Sequence, residues 1–386
     1  MNKKTNKKTK VLIAMSGGVD SSVAAALLVA QGYDVTGAFM VNYEAPLAGG
    51  QPGETCWTGE YQDALRVAAK LGIPLLRLDF RKEYKQKVLD YMYEEYRQGR
   101  TPNPDVLCNK FIKFGFWLDK AKELGFDKLA TGHYARVSQK SIKSKVHKVE
   151  LLQAKDNNKD QTYFLHQLNQ DQLKYTLFPI GGYTKPQVRK LAKKFDLPTA
   201  DKEESMGICF VGEVSMKEFL MKEIKPEPGN IILSSGEKVG EHEGLPFYTI
   251  GQRSIGIKTD LNKPLFVVDK KIEANELVVG YEDDPLLYKR EAEVVDINWI
   301  DGQTPKFPLK CEVRLRHRQP LQRCLLVCHS ERGGAESKNP LNVSVVFSKA
   351  QRAVTPGQFA VFYAPLRSLK GTKAGKNKCL GGGVVK

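Results

Sequence analysis

The run Ser16-Gly17-Gly18-Val19-Asp20-Ser21-Ser22 stands between an apolar stretch, Val11 to Met15, and an Ala-rich stretch, Val23 to Ala30. A buried strand feeding a glycine turn and then a helix leaves unpaired backbone N–H groups at the helix start, where the helix dipole also favours an anion. This order predicts a phosphate cradle. Gly17 and Gly18 permit close backbone approach, and Ser16, Ser21 and Ser22 can add hydroxyl donors. The loop lacks the lysine of G-x-x-x-x-G-K-[ST] and is not G-x-G-x-x-G. An ordinary glycine turn would not require both flanks to fit, and here both do.

Strand patterns at Val11 to Met15, Asp34 to Val41, Pro74 to Asp79 and Lys128 to Thr131 alternate with helical patterns at Val19 to Gln31, Gly59 to Leu71 and Glu83 to Gln98. Such alternation predicts an α/β fold, a doubly wound, Rossmann-like parallel sheet whose ligand site lies beyond the carboxyl ends of its strands. The glycine loop lies at one such end, Thr131-Gly132-His133 at another and Met40 at a third. The three are expected to converge on one nucleotide.

Gly99 to Lys110 carries Pro102, Asn103, Pro104, Asp105 and Cys108 and leads into a helical pattern from about Phe111 to Leu124. Two prolines and an asparagine predict an extended loop that sets Asp105 and Cys108 near the helix start. A thiol there has its pKa lowered, and Arg100 and Lys110 push the same way. A packed structural thiol is the other reading. Cys209 follows a polar loop, Asp201 to Gly207, and taken alone is equally a buried strand cysteine. Cys56 precedes a helix start and reads as structural. Lys159-Asp160-Gln161 opens one helix, and Thr184-Lys185-Pro186-Gln187 opens another with Thr184 as cap and Gln187 at the capping-box position. Ser138 to Lys148 reads as an exposed hairpin tip.

Beyond Lys225-Pro226-Glu227-Pro228-Gly229 the pattern turns to short β segments. The expected layout is a basic disordered tail over 1–10, a catalytic domain over 11–206, a small, mostly β central domain over 207–282 and a C-terminal β domain over 283–386. The last reads as a small barrel or sandwich, with strands at Lys310 to Arg318, Leu321 to His329, Leu341 to Phe347 and Phe359 to Ala364. Arg314, Arg316, His317 and Arg318 form a basic stripe there, extended by Lys370, Lys373, Lys376 and Lys378, and Ser330 to Pro340 is a polar insert. Cys311, Cys324, Cys328 and His329 lack paired metal-ligand spacing, and strand alternation accounts for them, so no metal ligands are assigned.

The 386 residues carry a net charge of +16, from 60 Lys and Arg against 44 Asp and Glu. That surplus points to a polyanionic partner, nucleic acid ahead of a membrane surface. No apolar run approaches the ~20 residues of a membrane span and no signal-peptide core follows the lysine-studded start, which predicts a cytoplasmic protein. Seven scattered cysteines do not make a secreted disulfide framework, so some are expected to be free thiols.

The S-G-G-x-D-S loop resembles the pyrophosphatase-type loop of enzymes that split ATP into AMP and pyrophosphate to activate an oxygen. Read together with Asn103-Pro104-Asp105 and Cys108, Ala130-Thr131-Gly132-His133, Lys159-Asp160-Gln161, Gly207-Ile208-Cys209-Phe210, Gly251-Gln252-Arg253, Thr355-Pro356-Gly357-Gln358 and Leu380-Gly381-Gly382-Gly383, the chain resembles the tRNA-specific 2-thiouridylases. The likeness runs from Val11 to Gly383 in the same order. It implies replacement of the C2 oxygen of a wobble uridine in tRNA by sulfur, with ATP, Mg2+ and a persulfide from a sulfur-carrier protein or cysteine desulfurase. It assigns the ATP site to Ala14, Met15, Ser16, Gly17, Gly18, Val19, Asp20, Ser21, Met40 and Gly132. Cys209 matches the persulfide carrier, Cys108 the second catalytic cysteine that ends in a disulfide with it, and Asp105 the general acid/base. Asn103, Pro104 and Asp105 match positions at the target base, and His133, Lys159, Asp160, Gln161, Arg316, His317 and Gln358 match positions that contact tRNA.

Overall fold

The computed structural model describes residues 8–45, 55–141, 147–203, 215–253, 255–257, 263–328, 342–364 and 377–386. Its first part contains β1 (Lys10–Ala14), β2 (Asp34–Val41), β3 (Leu75–Asp79), β4 (Lys128–Ala130), a hairpin of β5 (Ala135–Ser141) and β6 (His147–Gln153), and the short β7 (Thr176–Leu177). A parallel sheet runs in the order β3-β2-β1-β4-β7. Helices α1 (Val19–Ala30) and α2 (Thr58–Leu71) cover one face. Val11 and Ile13 of β1 join a core with Val23, Ala64 and Val67, while Leu12 joins the opposite core with Tyr84, Trp117 and Leu129. Burial on both faces is why the strand reads as an unbroken apolar run. Neighbours on either side of β1 place the topological switch point between the carboxyl ends of β1 and β4.

The middle part is a sheet of β8 (Gly229–Leu233), β9 (Lys238–His242), β10 (Phe266–Lys271) and β11 (Glu276–Gly280) in the order β10-β11-β8-β9. Its small core holds Ile231, Leu245, Val267, Leu277 and Val279.

The last part is a closed antiparallel barrel, not a sandwich. Strands β12 (Tyr288–Trp299), β13 (Leu309–Arg314), β14 (Gln322–Cys328), β15 (Asn342–Arg352), β16 (Phe359–Ala364) and β17 (Lys378–Val385) follow the order β12-β15-β14-β13-β16-β17, and β17 returns to pair with β12. Sequence patterning did not pick out β12 or β17. The Gly-Gly-Gly run that hides β17 is what lets it fit: a Cβ on Gly382 would stand 2.4 Å from Ala360 O, and one on Gly383 2.3 Å from Val295 O. Cys311 and Cys324 are directly opposed partners of β13 and β14 with their sulfurs 3.5 Å apart in the barrel core.

The barrel and the first part share a core. β6 extends the barrel sheet by pairing Leu151 and Leu152 with Cys379 and Lys378 of β17. Tyr163 Oη donates to the carbonyls of Leu315 and Phe359 at 3.1 and 3.2 Å. Residues 1–7, His329, the insert at 330–340, Lys370, Lys373 and Lys376 lie outside the described residues.

Candidate active site

Gly18 is extended (φ −93°, ψ 161°), and α1 starts at Val19 with no side chain capping it. The N–H groups of its first turn have no carbonyl within the helix to bond. Both Ser21 Oγ and Ser22 Oγ donate back to Gly18 O, at 3.0 and 2.8 Å, and Ser21 Oγ accepts from Ser16 N at 3.2 Å. The two buried hydroxyls thus shape the loop, leaving exposed Ser16 and the backbone to meet a ligand. Gly17 takes φ +73°, and a Cβ there would stand 2.2 Å from Glu60 O of α2, so the turn closes only around glycine.

Two lysines unnoticed as site residues in the sequence flank this cradle. Lys185 Nζ lies 2.8 Å from both carboxylate oxygens of Asp20, which also accepts from Tyr134 Oη at 2.8 Å. Lys202 Nζ donates to Gly17 O at 3.2 Å and to Asp63 Oδ2 at 2.6 Å. The only signal for Lys185 was its place in the first turn of a helix whose capping is as expected, Thr184 N donating to Gln187 Oε1 at 3.0 Å.

The strand ends meet as the sheet order requires. Gly132 lies against the cradle, since a Cβ on it would be 2.8 Å from Ser21 N. Met15 N donates to Ala38 O at 2.8 Å, which ties the end of β1, with Ala14, to β2, where half-buried Met40 lies near the carboxyl end. His133 is buried, with Nδ1 2.8 Å from Thr131 Oγ1 and its ring edge-on to Phe178. Burial first, and then the charge of Lys113, hold this imidazole well below its ordinary pKa. Burial pushes the Asp105 carboxyl up, and the same Lys113 charge partly offsets that. The Lys113 charge thus acts on both groups, lowering the pKa of each.

The helix at Cys108 begins earlier than the sequence reading placed it. Asn103 Oδ1 accepts from Val106 N at 3.2 Å and Pro104 takes the first turn, so Asn-Pro is a helix start and not the middle of a loop. Cys108 consequently lies inside the helical run, at the head of the π-helical segment Cys108–Phe116, and is 1 % exposed. Arg100 is committed to Glu95, with Nε 2.7 Å from Oε2, and burial lowers the pKa of Lys110. The expected electropositive, helix-start thiol is instead a covered one. Cys209 and its neighbours lie outside the described residues.

Several expected tRNA positions face inward. Asp160 is buried and accepts from Gln153 Nε2, Ala154 N, Thr162 Oγ1 and Arg314 Nη1 at 2.9–3.1 Å, so it joins the catalytic part to the barrel and has no free edge for RNA. Arg316 donates to Ala353 O at 2.7 Å, Thr355 Oγ1 at 3.1 Å and Ile250 O at 3.4 Å. His317 packs on Phe164 with ring centroids 4.6 Å apart, and burial lowers its pKa to about 4. Of the stripe at Arg314, Arg316, His317 and Arg318, Arg318 alone is exposed. Strand alternation and a turn fold the rest inward. Gln161 Oε1 accepts from Tyr134 N at 2.9 Å, while Lys159 is half-buried beside it. No helix among the described residues is long and apolar enough to cross a membrane.

Three family models match successive parts of the chain: a tRNA methyl transferase HUP domain over residues 9–213, a tRNA methyl transferase PRC-barrel domain over 217–281 and an aminomethyltransferase beta-barrel domain over 289–385. A curated relative, tRNA-specific 2-thiouridylase MnmA 2 of Geobacillus kaustophilus, is 44% identical over 380 residues, spanning 98% of this chain and 94% of its own. Among solved structures, a 4-thiouridine synthetase–RNA complex with bound ATP aligns at 15% identity and TM-score 0.33, covering 55% of this chain and 50% of that one. An NMN synthetase from Francisella tularensis aligns at 17% identity and TM-score 0.29, covering 56% and 73%. At such scores these two structures carry no functional weight.

Proposed function

The chain belongs to the tRNA-specific 2-thiouridylase family, and from that premise we propose that it replaces the C2 oxygen of the wobble uridine of tRNA with sulfur at the expense of ATP. The observation that carries the reading is the meeting of the glycine cradle with Gly132 at the switch point, within a chain alike over 98% of its length to a thiouridylase. The cradle from Ala14 to Ser21 holds the ATP phosphates, with Lys185 and Lys202 supplying positive charge nearby. Among the described residues no cluster of three or more His, Cys, Asp or Glu could cage a metal ion. Mg2+ supplied with the nucleotide would neutralise charge on its phosphates.

Uridine O2 attacks the α-phosphorus and pyrophosphate departs, which makes that oxygen part of a good leaving group. The terminal sulfur of a Cys209 persulfide then attacks C2, and AMP leaves with the former uridine oxygen. The Cys108 thiolate attacks Cys209 Sγ, breaks its bond to the transferred sulfur and leaves a C2 thiocarbonyl and a Cys108–Cys209 disulfide. In this reading Asp105, whose pKa burial raises, moves the protons these steps release. A thiol reductant resets the enzyme. Incubating the protein with unmodified tRNA, ATP, Mg2+ and a persulfide donor should yield 2-thiouridine on nucleoside mass spectrometry, with pyrophosphate released only when tRNA is present. No 2-thiouridine alongside an active donor control would refute the reading.

A further inference from the structure

The Thr101-Pro102-Asn103-Pro104 turn, which leads directly into Asp105 and Cys108, cannot hold itself in place. Prolines at 102 and 104 remove two backbone donors from it, so its carbonyls must find partners elsewhere. Both come from one side chain more than 250 positions away: Gln358 Nε2 donates to Thr101 O at 2.8 Å and to Pro102 O at 3.3 Å. The same barrel loop takes the Thr101 amide, which donates to Pro356 O at 2.9 Å. Gly357 sits so close that a Cβ on it would be 2.9 Å from Thr101 N.

Gln358 is itself fixed. Its N–H donates to Thr355 O at 3.2 Å and its carbonyl accepts from Val385 N at 2.8 Å, while Arg316 braces the Thr355 hydroxyl at 3.1 Å. The central domain holds the other end of the turn, where Lys270 Nζ donates to Gly99 O at 2.9 Å and Thr249 Oγ1 lies 3.4 Å from Thr101 Oγ1.

We propose that Gln358 is a positioning residue, whose amide clamps the Thr101–Pro102 carbonyls and thereby sets the Asn103 cap, Asp105 and covered Cys108. The role deepens the thiolation reading and rests on it for its catalytic consequence, but the clamp itself can be tested without tRNA. It also departs from the sequence expectation that Gln358 acts by touching tRNA.

Gln358→Met keeps the length of the side chain and removes its donors. Without tRNA, the rate at which iodoacetamide labels Cys108, mapped by peptide mass spectrometry, should rise about ten-fold, the equivalent of roughly 1.4 kcal/mol for the lost bonds. Buried Cys311 and Cys324 should stay protected as a control for folding. Single-turnover thiolation at saturating tRNA should fall by about the same ten-fold while tRNA affinity is kept. Unchanged Cys108 labelling overturns the proposal, as does a loss confined to tRNA affinity. If Gln358→Met exposes Cys311 and Cys324, Gln358→Asn, which retains an amide one methylene short, is read by the same criteria and should show a smaller rise. A wild-type protein that makes no 2-thiouridine refutes the proposed function, and the labelling result still decides the clamp.

Discussion

The phosphate cradle and the Cys108 turn lie in the same domain but are built in opposite ways. The cradle is shaped by serine hydrogen bonds that span three to five residues, and Lys202, Lys185 and Tyr134 add bonds to Gly17 and Asp20 from 114 to 185 positions away. The turn is held by bonds that span 148, 171 and 257 residues, from Thr249, Lys270 and Gln358. A loop shaped chiefly by its own serines depends on distant residues of its own domain only for added bonds. A turn restrained by two other domains takes its shape only when all three are assembled. On the proposed function, mutations in the cradle should affect nucleotide handling and mutations in the turn sulfur chemistry, each leaving the other's readout standing.

The largest expected effect comes from removing the sulfur chemistry alone. Cys108→Ser and Cys209→Ser should each reduce single-turnover thiolation by about a thousand-fold or more, as expected when a nucleophile is deleted, while tRNA-dependent pyrophosphate release stays within about three-fold. Parallel measurement of pyrophosphate and 2-thiouridine checks this. Equal loss of both signals would show that the two regions work as one unit and break the distinction.

The converse change is Gly17→Ala. Its Cβ would overlap Glu60 O, and alanine at φ +73° is strained whatever the space. Strain of order 1–3 kcal/mol predicts pyrophosphate release lowered by about ten- to a hundred-fold. Cys108 labelling without tRNA should stay at the wild-type rate. Faster labelling would mean that the cradle also supports the turn, and that the local bonds seen around Gly18 do not isolate it.

The same contrast decides what could be read from the sequence. The cradle, its flanking strand and helix and the parallel sheet were legible because each rests on neighbours in the chain: glycine where φ is positive, alternation of strand with helix, an unbroken apolar run where both faces are covered. The barrel was half legible. Strand β16 has an apolar pattern that announces it, whereas β17 hides behind glycines that only its neighbours β12 and β16 explain. Arg314 reads as part of a basic stripe and Asp160 as a tRNA-contacting position, because nothing local says that they pair with each other, 154 positions apart, across a domain boundary. Lys185 was invisible as a cradle residue for the same reason, its partner Asp20 being 165 positions away. Asn103-Pro104 was local and still misread, since the two residues serve equally for a turn and for a capped helix start.

That ambiguity supports the smallest and sharpest test. Asn103 has two jobs to separate: capping the helix that carries Cys108, which its bond to Val106 N establishes, and meeting the target base, which the family resemblance implies. Asn103→Ser keeps an oxygen acceptor at the cap and discards the amide, whereas Asn103→Ala discards both. Loss of the cap predicts that Asn103→Ala destabilises the protein by about 1 kcal/mol, and Asn103→Ser by only a few tenths, in urea unfolding. If the amide acts only as a cap, thiolation follows stability and Asn103→Ser retains it. If the amide also reads the uridine, both variants lose thiolation to the same extent although only one has lost stability. In that case the turn is a part of the site that touches substrate as well as a support for it, and its dependence on distant domains becomes a way of making base recognition wait for the completed fold.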